Sequence, residues 1–297
     1  MKLRMGTRGS ALALAQSSQL VARLCALVPG LTVETVVIKT SGDKFSLAKP
    51  NEPAAPAGGA KGLFVKEIEE ALADGTIDFA VHSGKDLPAA LGAGLVIAAY
   101  PLREEARDAF VGRDGGRLSG LLLGSRVASS SLRRVVQLQA ARPDLVVVPM
   151  RGNVDTRLRK MAEGACEGLL LAEAGLRRLG RADLKREILA TDVMVPSPAQ
   201  GALAVETRDG KSEARDLVSR LDDAATRLAV EFEREVLIAL EGGCSVPLGV
   251  YAQVAGKELQ VEAFYSNADG SRVKKIAQRC APTQSEARRI ATALRGA

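Results

Sequence analysis

Apolar and polar positions alternate along the first hundred residues in patterns that predict strands and helices. The segment LTVETVVIK, residues 31–39, is rich in β-branched side chains and predicts a strand, as does IDFAVHS. GLFVKEIEEALADG has helical periodicity, with an apolar face formed by Phe64, Val65, Ile68 and Leu72. An earlier helix, ended by Pro29-Gly30, presents Leu20, Val21, Leu24 and Leu27. This order is typical of an α/β domain with a largely parallel sheet.

The same pattern returns after about residue 105. Three short apolar segments, GSRVASS, DLVVVPM and GLLLAEA, are each followed by the start of a helix, which predicts a second α/β unit. From about Leu221 the pattern changes to a long amphipathic helix, two strand-like segments, VPLGVYAQV and ELQVEAFYS, and a last helix from about Ser285. This region is predicted to form a small α+β domain.

Length and composition indicate a soluble protein with two or three packed domains. The chain has 297 residues, of which 46% are apolar, and no apolar segment has the length of a membrane span. The four cysteines form no CxxC pair and His82 is the one histidine, so neither a zinc site nor a multi-histidine metal site is expected. This cysteine usage fits a reduced cytoplasm.

The charge balance narrows the class of partner. The net charge is +6, from 41 Lys and Arg against 35 Asp and Glu, which indicates anionic partners. Only 3% of residues are aromatic and none is Trp, so the stacking surfaces of a single-strand nucleic-acid binder are scarce. No GxGxxG or complete P-loop joins a strand to a helix, so nucleotide chemistry is not supported.

Arginines concentrate where predicted strands lead into helices. Ligands bind at this edge of open α/β sheets, and helix N-termini add N–H donors and a positive dipole end that favour anions. Three successive hydroxyls, Ser129 to Ser131, can cap a helix there and donate to a carboxylate. The sequence therefore predicts an anion site formed by Arg8, Arg133, Arg134, Arg151, Arg157 and Arg178.

The segment HSGKDLP follows a predicted strand, so Lys85 and Asp86 are expected at the same edge of the first sheet. Asp86 could stabilise a developing positive charge or transfer a proton. It could equally cap a helix or pair with Lys85, and the spacing leaves both open. His82 is interpreted as a structural residue near the end of a strand.

Two other segments also leave alternatives open. Cys244, in GGCSVPLG, is either a small packed thiol or a nucleophile activated by nearby cations, and its bendable setting favours an exposed side chain. Residues 45–60, FSLAKPNEPAAPAGGA, contain three prolines and two glycines. They predict a surface loop that either covers a site or is a simple linker.

Eight segments occur in the order found in porphobilinogen deaminases: TRGSALALAQ, KGLFVKEIEEAL, AVHSGKDLP, SSLRR, RGNVDTRL, AGLRRLG, AQGALAVE and LEGGCSVPLG. The chain resembles this family from Arg4 to about Gly249. The resemblance implies an α/β fold of three domains, with two lobes like those of periplasmic binding proteins around a central cleft and a small α+β C-terminal domain carrying the cofactor cysteine. The implied domains are residues 1–101 with 202–219, residues 102–201, and residues 220–297.

The resemblance also implies an activity, hydroxymethylbilane synthesis. In this family four porphobilinogen molecules condense head to tail on a dipyrromethane primer, four ammonia molecules leave, and hydrolysis frees the linear product. Cys244 is implied to attach the dipyrromethane cofactor through a thioether, and Asp86 to be the catalytic carboxylate. Asp86 would donate a proton to the departing amine or stabilise the pyrrole N–H as an azafulvenium-like cation develops.

Each pyrrole carries acetate and propionate groups, which arginine can hold with two parallel hydrogen bonds. By resemblance, the dipyrromethane is bound by Lys85, Ser129, Ser131, Arg133 and Arg134. Porphobilinogen and the growing polypyrrole are bound by Arg8, Ser10, Gln16, Lys61, Phe64, Ser83, Ser130, Arg151, Asn153, Arg157, Arg178 and Gln200. No metal, nucleic-acid or membrane partner is implied, and the family expectation is a cytoplasmic monomer.

Two other functions compete with this interpretation. A non-catalytic two-lobed anion-binding protein would explain the strand-end arginines but not LEGGCSVPLG and the additional domain. A nucleic-acid binder would use the net charge, but aromatics are scarce and the arginines are confined to strand ends. Three departures from the family pattern are Ala199-Gln200 where Gly-Gln is common, TSGDK for TRGDK, and the atypical loop 45–60.

Overall fold

The structure, a computed structural model, describes residues 1–42, 65–240, 247–267 and 269–296. By packing, the chain divides into two compact units. The first comprises Met1–Glu104 and Ala202–Val230, and the second comprises Glu105–Gly201 and Glu231–Ala297. The chain therefore passes from the first unit to the second after Glu104 and returns after Gly201.

The described strands and helices are numbered here in chain order. The strands are β1 (Lys2–Arg8), β2 (Thr32–Ile38), β3 (Phe79–Ser83), β4 (Leu95–Ala99), β5 (Asp108–Gly112), β6 (Arg126–Ala128), β7 (Val146–Val148), β8 (Gly168–Ala172), β9 (Glu187–Ile188), β10 (Leu203–Arg208), β11 (Leu248–Ala255), β12 (Glu258–Tyr265) and β13 (Lys274–Cys280). The helices are α1 (Ala11–Leu27), α2 (Lys66–Ala73), α3 (Leu132–Ala141), α4 (Val154–Ala162), α5 (Glu173–Arg178), α6 (Glu213–Val218), α7 (Ala224–Leu240) and α8 (Gln284–Arg295).

The first unit contains a five-stranded sheet in the order β2-β1-β3-β10-β4. β1 pairs in parallel with β2 and β3, whereas β10 runs antiparallel to both β3 and β4. Side chains alternate between the two faces. One face packs Phe79 and Val81 against Leu20 and Leu24 of α1, and the other packs Ala80 with the apolar side of α2. Helices therefore cover both faces of this sheet.

The second unit contains a five-stranded sheet in the order β7-β6-β8-β5-β9. β6 pairs in parallel with β7 and β8, and β5 runs antiparallel to β8 and β9. In β8, Leu169 and Leu171 join the core beside α4, whereas Leu170 joins Leu138 of α3 on the opposite face. This alternation is expected of a strand buried on both faces.

A three-stranded antiparallel sheet, β11-β12-β13, completes the described fold in the second unit. α8 packs on it through buried Ala287, Ile290, Ala291 and Leu294, and its opposite side is polar. Thr283 caps this helix by accepting from the N–H of Glu286, and Gly296 ends it with a φ of 79°.

The predicted α/β fold class, with two lobes and a small α+β C-terminal domain, is confirmed. The largely parallel sheet needs one refinement, because each large sheet contains one reversed strand, β10 or β5. The sequence boundaries of three separate domains stay a prediction. Among the helices described, none is long and apolar enough to cross a membrane.

Candidate functional site

In the first unit, candidate residues lie at the carboxyl ends of parallel strands. Arg8 ends β1 and Ser83 ends its neighbour β3, so both lie at the same edge of the sheet. α1 begins just after Ser10, whose hydroxyl oxygen accepts from the N–H of Ala13 at 3.3 Å. The positive end of a 17-residue helix therefore lies at this edge. Gln16, predicted to bind substrate, is buried within α1.

Asp86 lies at the end of a 3₁₀ turn, Gly84–Asp86, directly after β3, and is half-buried. The N–H of Gly84 donates to the carbonyl of Ala202 at 2.9 Å, which fixes the start of the turn. Within the sheet, His82 Nε2 lies 3.0 Å from Glu206 Oε2, and both side chains are buried. His82 thus holds β3 to β10, as its structural interpretation requires.

In the second unit, three loops follow the carboxyl ends of β6, β7 and β8. Because these strands are parallel neighbours, the loops lie at one edge of the sheet. The loop after β6 contains the three serines. Ser129 Oγ accepts from the N–H of Ser131 at 3.2 Å, and Ser130 Oγ contacts the backbone of Met150 at 3.0 Å.

The predicted capping of α3 by these serines is wrong in one respect. Ser131 occupies the cap position, but its hydroxyl makes no capping hydrogen bond to the helix. The serine side chains instead join neighbouring loops, since the Ser130 contact ties the β6 loop to the β7 loop. After β7, Asn153 does cap α4, because its side chain accepts from the N–H of Thr156 at 2.9 Å.

Arg133 and Arg134, at the start of α3, converge on one buried carboxylate. Arg133 Nη1 donates to Asp108 Oδ2 at 2.6 Å and to the carbonyl of Val195 at 2.7 Å. Arg134 donates to Asp108 Oδ1 from Nε at 2.9 Å and from Nη2 at 2.6 Å, and to the carbonyl of Leu170 from Nη1 at 3.0 Å. Asp108 is fully buried, and the arginines are 5% and 7% exposed.

The electrostatics of this edge are strongly positive. Burial alone would raise the pKa of Asp108, but the charges of Arg133 and Arg134 outweigh it and hold that pKa far below its ordinary value. Burial also lowers the pKa of Arg133, despite Asp108. Burial, reinforced by the charge of Arg134, lowers the pKa of Arg157 to about 10. Arg133 and Arg134 therefore share the carboxylate of Asp108, and Arg157 lies close enough to Arg134 to be affected by its charge.

Arg157 and Arg151 belong to the loop and helix that follow β7. The Nε of Arg157 donates to the carbonyl of Gly152 at 2.8 Å, and Gly152 has a φ of 120°, in a region that favours glycine. The carbonyl of Arg151 accepts a long hydrogen bond from Lys160 Nζ at 3.4 Å. Both arginines are half-buried.

The adjacent residues Arg177 and Arg178 bind different acceptors. Arg177 joins Arg186 in binding the buried carboxylate of Glu173, at 2.8 Å and 2.6 Å. Arg178 Nη2 instead donates to the carbonyl of Gly201 at 2.6 Å. The expectation that Arg178 lies where a strand feeds a helix is wrong, because it is the last residue of α5.

Gln200 is buried, at 1% exposure, in the turn before the chain leaves the second unit. Its Nε2 donates to the carbonyl of Ala106 at 2.7 Å and to Asp108 Oδ1 at 3.0 Å. The preceding Ala199 has a φ of 59°, which few residues other than glycine adopt, and its N–H donates to Glu233 at 2.6 Å. The departure from Gly-Gln therefore falls on a left-handed residue.

The structure groups the predicted site residues at two sheet edges. At the edge of the first unit lie Arg8, Ser10, Ser83, Lys85 and Asp86. At the edge of the second unit lie Ser129, Ser130, Ser131, Arg133, Arg134, Arg151, Asn153 and Arg157, whereas Arg178 ends α5 and Gln200 lies in the turn before the chain leaves the unit. Outside the described residues lie Cys244, Lys61, Phe64 and the loop 45–60.

Comparison with known proteins identifies the family. Residues 3–216 match the family described as porphobilinogen deaminase, dipyromethane cofactor binding domain, and residues 227–294 match the porphobilinogen deaminase C-terminal domain. The chain belongs to the porphobilinogen deaminase family. It is therefore a transferase of tetrapyrrole biosynthesis that makes hydroxymethylbilane from porphobilinogen on a dipyrromethane cofactor, as the sequence predicts.

Two relatives that are named porphobilinogen deaminase match most of the chain. The porphobilinogen deaminase of Sorangium cellulosum is 46% identical over 278 residues, covering 94% of this chain and 91% of that protein. That of Syntrophotalea carbinolica is 47% identical over 285 residues, covering 96% and 89%. Among solved structures, the methionine-binding protein MetQ is 15% identical, with a TM-score of 0.43, over 74% of this chain and 89% of that chain.

Three buried acids that bind neighbouring elements were not predicted from the sequence. Asp108 and Glu206 each lie in an apolar strand, in RDAFVG and LAVETR, and Glu233 lies within α7. Glu233 accepts from the N–H groups of Ala199 and Ala252, at 2.6 Å and 2.8 Å. A carboxylate inside an apolar strand is the signal that would have found Asp108 and Glu206, since buried acids need partners; Glu233 lies among other charged residues and has no such signal.

Proposed function

We propose that the arginines at the edge of the second unit bind the acetate and propionate groups of the dipyrromethane and of the growing polypyrrole. One observation carries this proposal. Burial and the charge of Arg134 lower the pKa values of Arg133 and Arg157, and among the described residues the one carboxylate that pairs with Arg133 and Arg134 is Asp108, so the cluster retains excess positive charge. Such an arrangement is costly for folding alone and is explained by an anionic ligand.

The donor set fits the cofactor chemically. Each pyrrole ring bears two carboxylates, and planar guanidinium groups bind carboxylates with two parallel hydrogen bonds. By resemblance, Arg133, Arg134, Ser129, Ser131 and Lys85 would hold the dipyrromethane. When bound, the dipyrromethane would supply the free α carbon to which the first new pyrrole is joined, and each later pyrrole would join the ring added before it.

We propose Asp86 as the catalytic carboxylate. Its turn is fixed by the hydrogen bond from Gly84, so the carboxylate is held at the strand end rather than on a long loop. There it can donate a proton to the departing amine of porphobilinogen and then, as the carboxylate, stabilise the pyrrole N–H that carries developing positive charge. Arg8, Ser10, Gln16 and Ser83 are proposed to bind substrate, together with Lys61 and Phe64.

Cys244 is proposed to attach the cofactor through a thioether. Further parts of the proposal are a cytoplasmic monomer without nucleic-acid or membrane partners, and domains at residues 1–101 with 202–219, 102–201 and 220–297. Two features support the reducing compartment and argue against a nucleic-acid partner. Cys25, Cys166 and Cys280 are free thiols, as expected in a reducing compartment, and two of the key arginines are buried rather than displayed for phosphates.

Intact mass and turnover test these assignments together. The purified protein is expected to be heavier than its sequence by one dipyrromethane, and Cys244→Ser removes the increment. The control is Cys25→Ser, which replaces a half-buried thiol and should keep the increment. Asp86→Asn is expected to stay folded and to lose at least about 100-fold in turnover, the typical scale for a lost acid–base group. An unmodified mass in active protein, or near-normal turnover of Asp86→Asn, contradicts the proposal.

A further inference from the structure

Asp108 binds its two arginine partners in different ways. All three nitrogens of Arg134 are engaged, Nε and Nη2 by Asp108 and Nη1 by the carbonyl of Leu170. For Arg133, every hydrogen bond in the described part of the chain leaves from Nη1, to Asp108 and to Val195. The edge of Arg133 formed by Nε and Nη2 is therefore not spent on these protein acceptors.

The position of Asp108 in the sheet explains this division. It is the first residue of β5 and lies opposite Ala172, the last residue of β8. Because β5 runs against β8, its start lies at the carboxyl edge, where the parallel strands deliver their loops. A carboxylate there can bind the arginines of α3 from inside the sheet and leave the outer side of the cluster to a ligand.

Gln200 adds a second support for the same carboxylate. Its Nε2 donates to Asp108 Oδ1 at 3.0 Å and to the carbonyl of Ala106 at 2.7 Å, two residues before Asp108. Gln200 is also 1% exposed, so its Nε2 is directed at these two protein acceptors and not at solvent. The described contacts of Gln200 therefore fix the orientation of Asp108.

We propose that Asp108 is a positioning residue of the carboxylate site, which anchors Arg134 as support and holds Arg133 by one nitrogen so that its other edge meets a ligand carboxylate. The proposal rests on the proposed function, in which this cluster binds pyrrole carboxylates. The proposal gives different roles to two adjacent arginines that the sequence does not distinguish. Arg133 would contact the ligand, whereas Arg134 would act through Asp108.

Asp108→Asn distinguishes positioning from simple charge. Removing a negative charge beside an anion site should strengthen anion binding if only net charge matters. If Asp108 positions Arg133, the variant should bind more weakly, because the guanidinium loses its fixed orientation and the new amide N–H₂ faces the arginines. The loaded holoenzyme is expected to show a KM for porphobilinogen at least about tenfold higher, with a smaller change in kcat. An unchanged or lower KM overturns the proposal.

The matched control is Asp144→Asn. Asp144 pairs with Arg142 in the same unit, at 2.8 Å and 2.7 Å, and belongs to no predicted site. This variant removes an arginine-bound carboxylate from the surface and is expected to keep the native KM. Should it raise KM as Asp108→Asn does, the effect is not specific to the site and the proposal fails.

A second pair of variants serves if Asp108→Asn does not fold. Arg133→Lys is expected to raise KM about tenfold with near-native melting, since lysine cannot supply the second edge. Arg134→Lys is expected to lower the melting temperature more and to raise KM less. Equal or reversed effects overturn the proposal. If the wild type lacks the dipyrromethane mass, the proposed function fails; if the wild type is loaded and active but these variants keep the native KM, the role of Asp108 fails alone.

Discussion

The two five-stranded sheets share one topology but differ in the placement of a buried acid. In each sheet, three neighbouring strands run parallel, and the fourth is reversed and joins a fifth. The reversed strands, β10 and β5, each follow a point where the chain passes between units. β10 carries Glu206 and β5 carries Asp108, and both carboxylates are fully buried.

The two acids differ in their position along the strand and in the side chains that they bind. Asp108 lies opposite the last residue of β8, at the carboxyl edge, and binds two permanently charged arginines. Glu206 lies opposite Ala80, three residues before β3 ends, and binds His82. A reversed strand can thus place an acid either where ligands bind or within the sheet. In our proposal the first position organises cations for a ligand, whereas the second joins strands.

The largest predicted contrast is in stability. Asp108→Asn leaves two buried arginines without a counter-charge and should lower the free energy of unfolding by about 3–5 kcal/mol. Glu206→Gln should cost only about 0.5–1.5 kcal/mol, because the new amide can still share a hydrogen bond with the His82 ring. Urea denaturation of the two variants beside the wild type measures the difference. Equal losses would contradict the contrast drawn between the two sheets.

The pH dependence follows from the same contrast. Since the folded pKa of Asp108 is lowered, its stabilising contribution is present above the ordinary aspartate pKa of about 3.9 and is lost as pH falls through the folded value. Between pH 5 and 8, therefore, the second-sheet cluster should contribute a constant stability. Any change in the free energy of unfolding with pH in that range must come from other groups.

Glu69, on α2 in the first unit, is one group that should produce such a change. Burial raises its pKa, a hydrogen bond from the N–H of Gly92 at 3.1 Å opposes the shift, and the charge of Glu206 adds to it. A carboxyl with a raised folded pKa stabilises the fold below the unfolded value of about 4.3, and this is lost as pH rises through the folded value.

Glu69→Gln should remove the loss of stability that deprotonation of Glu69 causes as pH rises. The glutamine oxygen can still accept the hydrogen bond from the N–H of Gly92. The stability of the variant relative to the wild type is expected to increase from pH 4 to pH 7, by less than about 1 kcal/mol because the side chain is partly solvated. Glu70→Gln is the matched control, since Glu70 is exposed and pairs with Lys66. A flat difference for Glu69→Gln across this range, seen in thermal melts, would contradict the prediction.

Most of the fold could be read from periodicity, because the strands of the two α/β units are short apolar runs followed by helices. The reversal of β5 and β10 could not, since apolar runs carry no direction and only tertiary pairing decides it. Strand-end position identified most of the arginines. The different contacts of adjacent arginines could not be predicted. Arg177 binds Glu173 and Arg178 binds the carbonyl of Gly201, and the sequence does not show which of these acceptors lies within reach.

The position of most candidate residues of the second unit at one sheet edge was thus predictable, but not which of them share a buried partner. The buried partner of Arg133 and Arg134, Asp108, is 25 residues before Arg133 in sequence. Periodicity describes one helix or strand at a time. The different contacts of Arg133 and Arg134 depend on which acid of the sheet contacts α3. Roles for Cys244 and Asp86 came from the family pattern of LEGGCSVPLG and HSGKDLP.

The central claim is that the excess charge of the arginine cluster serves ligand carboxylates, and Arg157 tests it most directly. Melting temperatures should be compared for the loaded protein and for Cys244→Ser, each with and without Arg157→Met. In the Cys244→Ser background, Arg157→Met should stabilise by about 1–2 kcal/mol, because a buried charge with a lowered pKa is removed while one hydrogen bond to Gly152 is lost. The stabilisation gained on cofactor loading should shrink in the same variant. An equal gain on loading with and without Arg157 would contradict the account.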